Sequence, residues 1–439
     1  MNPLRRATQR PVPLAVVVML GFAVVLCHSG HVRAADGAVA EAPMLAVPAV
    51  AEAVSLVVPI GNSVSAILTS AESAGVELAE VDTDGAVTAV FPAQVEPAAD
   101  AGGDLDTANQ SASHDLLAVI PPRASAEEVR RFRVRPMAAA PASPFNFRDA
   151  GDASLGLWQG DTPVFVYNHG EITGEHVPPE DARRRRGCYL HPVWSPSGTV
   201  LTDDFPQDHF HHHGIFWAWP HVVVGGQEYD LWSGAEIRQR FIRWIDRHTG
   251  PVAAVLAVEN GWFVAERCVM IERVWMRAFR ADGGHRALDV TLTLIPQDRP
   301  VALQGAAGKS YGGLTVRFAP RDDERTVITV PSGLTTDDLP DTPLPWADFT
   351  SLFAGASKPA GATVMVDPAH PAFPPTWLTR HYGALFVGYP GVDPQTFASG
   401  EPITLGYRFD LHDGQPASQE LARGYRAYCA GRQVGWVAP

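Results

Sequence analysis

From Phe145 onward the chain runs in short β-branched and aromatic segments, each cut off by Gly, Pro, Asn or Asp, and almost nowhere in a helical rhythm. Leu288, Val290, Leu292 and Leu294 alternate with Asp289, Thr291 and Thr293, so one face of that segment can meet a core while the other meets water. Pro163–Tyr167, Ala253–Val258, Arg286–Ile295, Leu314–Phe318, Thr326–Val330, Ala384–Val387 and Ile403–Leu411 carry the same strand signature. Only Glu420–Tyr428 reads as an amphipathic helix. With 39 Gly and 38 Pro among 439 residues, turns are too frequent for a helical bundle. The expected fold is all-β: two large antiparallel sheets packed face to face rather than a small closed barrel.

The preceding residues divide in two. Arg5, Arg6 and Arg10 stand before the apolar run Leu14–Leu26, and Val32-Arg33-Ala34 offers small residues where a signal peptidase reads, so 1–34 is expected to be a cleaved signal peptide. Residues 35–144 are rich in Ala, Val and acids and nearly free of aromatics. They read as a low-complexity, disordered extension. Within it Val54–Leu68 and Leu116–Ile120 are apolar enough for short elements but lack local neighbours to build a core with. The domain is then 145–439. No later segment is apolar for the ~18 residues a membrane span needs. The expected product is exported, periplasmic or extracellular, with no stable membrane insertion once the leader is removed.

Charge excludes one class of partner. The formal net charge of -14 opposes approach to nucleic acid or an anionic membrane, and loss of the leader's four arginines makes it more negative still. Cys188, Cys268 and Cys429 lack metal-ligand spacing and are expected to be small packed side chains with at most one bridge. Arg183–Arg186 lies among turn residues and reads as a solvated loop.

Chemistry concentrates in Gly187–Trp219, which reads GCYLHPVWSPSGTVLTDDFPQDHFHHHGIFWAW. His191, His209, His211, His212 and His213 fall here, five of the chain's 16 histidines, beside Asp203, Asp204 and Asp208. Ser195-Pro196-Ser197-Gly198 is a turn, so the arm carrying His191 is expected to face the arm carrying the aspartates. If Asp208–Gly214 is extended, His209, His211 and His213 share one face and His212 points the other way.

YLHPVWSPSG, TDDFPQDH and HHHGIFWAW resemble the signature of the PmoA-like family of exported bacterial proteins of unknown function, often labelled methane oxygenase. The likeness continues through Tyr311-Gly312-Gly313-Leu314, Trp377, Arg380-His381-Tyr382-Gly383 and Pro402–Gly414, and so covers Phe145 to the C-terminus. His213 departs from it, since many members carry Arg there. The resemblance implies a galactose-mutarotase-like β-supersandwich, in agreement with the strand pattern. Methane oxidation does not follow, because the membrane enzyme of that label crosses the bilayer many times and this chain has no span after its leader.

Three readings of the block compete. In the first, imidazoles and a carboxylate move protons at a sugar or glycoside without a cofactor, as an epimerase, lyase or hydrolase-like enzyme would. His209 and His212 would be the proton donors, with His191, His211 and Asp208 orienting them. Trp194, Trp217, Trp219 and Trp232 would offer flat faces to the ring, while the resemblance adds Lys309, Tyr311 and Arg380 to the ligand-binding set. In the second, the same tryptophans serve non-catalytic glycan binding. In the third, the cluster holds a divalent metal; against all three stands a structural reading, in which the histidines ahead of Gly214–Trp219 simply pack where a sheet turns into the core, their nitrogens satisfied by the aspartates. The expected ligand is a carbohydrate in either of the first two.

Overall fold

The computed structural model describes residues 44–60, 75–98, 114–123, 129–137 and 139–437. The expected leader, 1–34, lies outside them. The described chain is all-β and antiparallel, as its alternation implies.

Two nine-stranded sheets form the body. One runs, in spatial order, Thr342–Pro343, Thr376–Arg380, Ala384–Gly388, Gly313–Arg317, Ile215–Ala218, Tyr189–Val193, Thr162–Asn168, Ser154–Gln159 and Phe145–Gly151. The other runs Ile237–Thr249, Ala253–Val264, Arg267–Phe279, His285–Pro296, Ile403–Asp413, Ala360–Val366, Trp346–Ser351, Val327–Val330 and Gly333–Thr335. Their inner faces share one core. Leu288, Val290, Leu292 and Leu294 are all sealed from solvent beside Phe165, Trp217 and Phe409, and Phe318 stacks on Phe349 across the layers at 4.0 Å. Removing this much apolar surface from water is the main stabilising term. The outer residue Asp289 is held by Arg408 at 2.5 and 2.7 Å. A four-stranded sheet, Gln227–Tyr229, His221–Val224, Val301–Gln304 and Gln395–Phe397, adds to one side.

The region before Phe145 differs from expectation. Met44–Pro48, Val54–Ile60, Val76–Val81, Val87–Pro97, His114–Ile120 and Val129–Pro136 form a sheet that a seventh strand, Gly435–Val437, completes from the opposite end of the chain. The two apolar segments noted in the sequence are partners: Leu56 faces Ala118. Leu45, Leu56, Leu78, Leu116 and Phe132 make a core of their own, closed by the helix Ser418–Arg432 through Ala427. The sheet is tied to the body by Leu117 against Phe279 and by Arg277, which donates to Glu96 and, at 3.0 Å, to Asp115. The spacer reading is therefore corrected over these strands. Val76–Val81 and Val87–Pro97 form a local hairpin, but other pairings, such as Val54–Ile60 with His114–Ile120 and Met44–Pro48 with Val129–Pro136, join segments far apart in the chain that sequence neighbours do not reveal.

Cys188, Cys268 and Cys429 are free thiols. Among the described residues no helix is long and apolar enough to cross a membrane.

Candidate functional site

The turn at Ser195 forms as its residues dictate, with Gly198 donating to the Ser195 carbonyl at 2.9 Å in a left-handed conformation, φ +91°. The two arms then meet. Leu201 donates to Val193 at 2.8 Å, and the Thr202 hydroxyl lies 3.0 Å from the Val193 amide and 3.1 Å from His191 Nδ1. His191 is thereby bound on the arm, and burial lowers its pKa.

Beyond Asp204 the chain does not extend. His209 donates its amide to Pro206 at 3.0 Å and His212 donates to His209 at 2.9 Å, so two turns follow one another. The expectation of a shared face for His209, His211 and His213 fails for this reason. The turns instead stack His209 on His212, centroids 4.5 Å apart and 7° from parallel, and set His211 edge-on to both at 5.7 and 4.8 Å. His213 goes elsewhere: its Nδ1 lies 2.7 Å from Asp204, whose other oxygen accepts from Tyr189 at 2.6 Å, and its ring meets Phe205 at 4.6 Å. Burial drives this group toward neutrality, raising Asp204 to about 6 and lowering His213 far below the usual imidazole range.

One imidazole of the stack is accessible. His209 keeps about a third of its side chain exposed, 35%, while His212 retains 3%. His212 is thus placed behind His209 rather than beside it as a second donor. Its Nδ1 has no hydrogen-bond partner, and burial, then His211 and His209, hold it neutral. His211 is likewise pushed down, to about 4, by burial and then by His209 and Arg183.

His209 Nδ1 lies 2.8 Å from Asp208 Oδ2, and its ring stacks on Tyr382 at 5.1 Å. Asp208 and Tyr382 both line a cleft of about 640 Å³, shared with Asp203, Arg317 and Arg321. Arg317 donates to the other Asp208 oxygen at 2.8 Å and lies over the Tyr382 ring at 5.2 Å. It is 6% exposed, and its Nε and Nη1 are unpartnered. Two of the carboxyl groups lining this cleft, Asp208 and Asp203, are driven apart. Burial opposes ionisation of Asp208, but hydrogen bonds from His209 and Arg317 outweigh it and hold Asp208 low. Burial raises Asp203. Burial also pushes the Tyr382 phenol up to about 12, so it remains a neutral donor. A carboxylate kept ionised, a carboxyl inclined to carry a proton and an accessible imidazole form an acid–base set.

The aromatic candidates do not flank this cleft. Trp217 and Trp219 are 0% exposed, because the strand Ile215–Ala218 is central in its sheet and covered on both faces. They are core residues with no face to offer a ring. Trp194 bridges Val200 across the turn. Tyr311 packs on Trp232 at 5.2 Å, and Trp232 in turn meets His211 at 5.5 Å, so it backs the histidine cluster. Lys309 is exposed on its own turn, and Arg380 is committed to Asp338 at 3.0 Å. Tyr382, Arg317 and Arg321 were not singled out beforehand. Tyr382 stood beside Arg380 in the recognised motif. Arg317, a lone cation in the strand Gly313–Arg317, was a visible anomaly.

For a metal, imidazole and carboxylate donors must converge. Among the described residues no group of three His, Cys, Asp or Glu side chains is placed to hold an ion, since His209, His211 and His212 pack ring on ring and His213 is engaged with Asp204.

A family model matches residues 155–426, more than half of the chain, and its family is described as one of unknown function, DUF6807. The chain belongs to this family. The match begins in the strand Ser154–Gln159 and ends within the C-terminal helix, so it covers the second nine-stranded sheet, all of the first but the strand Phe145–Gly151, and the whole histidine block, and it leaves out all seven strands of the N-terminal sheet. No curated protein matches the chain.

Proposed function

We propose that this member of DUF6807 is an exported protein that binds a carbohydrate in the Asp208–Arg317 cleft, and that His209 moves a proton there. The observation that carries the reading is the Asp208–His209 pair at 2.8 Å at the edge of that cleft. Asp208 fixes Nδ1 as the protonated nitrogen, which leaves Nε2 as the acceptor. Nε2 takes the proton of a sugar hydroxyl, and the resulting imidazolium is stabilised by the Asp208 carboxylate. Asp203, whose pKa burial raises above the usual carboxyl value, is the complementary acid at a ring or glycosidic oxygen. Arg317 and the Tyr382 hydroxyl supply donors for sugar oxygens. The resemblance of the histidine block to PmoA-like proteins, and through them to mutarotase-like supersandwiches, points to the same ligand class.

This assignment differs from the one drawn from sequence in two respects. His209 acts without His212, and polar groups replace the tryptophans as the binding surface. The glycan-binding alternative loses its main support with Trp217 and Trp219 in the core.

The test is a thermal-shift screen of mono- and oligosaccharides, followed by proton exchange or anomerisation measured by NMR on any ligand found. His209→Asn is expected to retain binding within about threefold and to lower the rate by about 10²-fold or more. Unchanged turnover in that variant refutes the catalytic reading. Absence of any saccharide binding, or binding unaffected by Arg317→Met, refutes the ligand assignment.

A further inference from the structure

The arginine run Arg183–Arg186 is not the solvated loop its composition implied. Arg183 is paired with Asp181 and Arg184 with Glu175, and the strand Arg185–Arg186 pairs with Ile172–Thr173. Arg186 is 8% exposed. Its Nη groups donate to the carbonyls of Leu231 and Trp217 at 2.9 and 3.1 Å and to the Gln239 side chain at 2.6 Å. No carboxylate touches it, and its Nε has no partner. The guanidinium is met directly by neutral oxygens, with the buried carboxyl of Glu272 one step away through Gln239, so it keeps much of its desolvation cost.

Arg186 lines a cleft of about 440 Å³ together with Arg185, Arg238 and Arg240. This cleft shares no lining residue with the Asp208–Arg317 cleft. Four arginines line it with one carboxylate, Glu171, while Arg240 is also paired with Glu266 at 3.1 Å, in a chain whose overall charge is -14. Glu171 is divided between Arg185 at 3.2 Å and Arg238 at 3.3 Å and is 48% exposed. Both contacts exceed the ~2.7–2.9 Å of a close charge-assisted bond. Glu171 is therefore a loose internal counter-ion that a stronger anion can displace. The arginines are partly braced: Arg238 donates to the Gly234 carbonyl at 2.6 Å and Arg240 to the Ala265 carbonyl at 3.1 Å, so little ordering remains to be done on binding.

We propose that this cleft binds a tetrahedral oxyanion, the phosphate or sulfate group of an esterified ligand, with Arg185 and Arg238 as its direct donors and Arg186 as a buried positive charge beneath them. Planar guanidinium forks match such oxyanions in pairs. A dianion replaces the single charge of Glu171 and adds acceptors for the donors the carboxylate leaves unused.

Calorimetric titration of the full chain with inorganic phosphate and with sulfate, against chloride at matched ionic strength, tests the site. Saturable binding is expected with a Kd on the order of 1 mM. Arg185→Ala, a half-exposed change that leaves the Gly234 brace intact, is expected to weaken it about tenfold, and Glu171→Gln, which removes the competing carboxylate, to tighten it about fivefold. The Glu171→Gln gain separates a binding site from a structural ion network, in which that change gives no affinity. A hexose phosphate and a hexose sulfate run in parallel identify the source of the oxyanion. His209→Asn is expected to leave the titration unchanged, so the result stands apart from the proposed chemistry at the other cleft. No saturation by about 20 mM of either anion, or equal affinity in wild type, Arg185→Ala and Glu171→Gln, overturns the proposal.

Discussion

Replacing Arg277 by Met tests whether the N-terminal sheet is part of the folded unit. Arg277 is 3% exposed, Glu96 1% and Asp115 6%, and the guanidinium is bonded to both carboxylates. Methionine fills most of the stem's volume, so the change removes charge more than packing. Loss of one partner from a buried ion pair costs about 3–5 kcal/mol, because the remaining charge is left short of water and of close counter-charge; Glu96 would keep the more distant His248 at 3.9 Å. The loss should depend on pH. Burial raises the Glu96 carboxyl from 4.5 to about 7 even with Arg277 beside it. A carboxyl whose folded pKa is raised contributes stability that is complete below 4.5 and disappears as pH climbs through 7. At ~1.36 kcal/mol per pH unit, that amounts to about 3 kcal/mol. Without Arg277 the folded pKa of Glu96 rises further, and the penalty grows in the same direction. Urea unfolding followed by tryptophan fluorescence is expected to show a deficit of about 3–5 kcal/mol near pH 7.5, shrinking to about 1–2 near pH 5, where Glu96 takes up its proton. A midpoint equal to wild type at both pH values, or a deficit that does not change between them, refutes the reasoning.

Two other perturbations read the histidine block itself. A Cβ at Gly214 would stand 2.0 Å from the Leu190 carbonyl oxygen and 2.8 Å from the His191 side chain; Gly214→Ala is expected to cost about 3 kcal/mol in urea unfolding, and a loss under about 0.5 kcal/mol would show that the strands do not approach as described. His211 has its folded pKa lowered from 6.5 to about 4, so its contribution is present above 6.5 and lost as pH falls toward 4. Allowing for its partial exposure this is worth about 2 kcal/mol. His211→Gln should unfold with a correspondingly shallower decline between pH 7 and 4.5, and an identical decline in both proteins would count against its burial.

The strands of the body were legible because each carries its own evidence. Leu288 to Leu294 alternate within one segment, and that pattern needs no partner to be read as a strand with one buried face. The N-terminal strands carry the same pattern, with Val54, Leu56 and Val58 buried in alternation, but their low aromatic content and acidic surroundings masked it. The histidine block was legible as a place but not as a geometry. Side-chain direction depends on whether Asp208–Gly214 is extended or turned, and the residue types permit both. The tryptophans were misread for a related reason: a large aromatic suits a core and a sugar platform equally well, and only burial distinguishes them.

Local alternation and turn residues, being properties of neighbours in the chain, were enough to determine an all-β antiparallel protein with one chemically distinctive segment. What tertiary structure alone decided is which distant groups meet: Gly435–Val437 beside Met44–Pro48, Arg277 between Glu96 and Asp115, Tyr382 and Arg317 against His209 and Asp208, and Arg185 and Arg238 on either side of Glu171. Such encounters depend on the order of strands in each sheet, a consequence of how the whole chain buries its apolar faces at once, and no single segment encodes it.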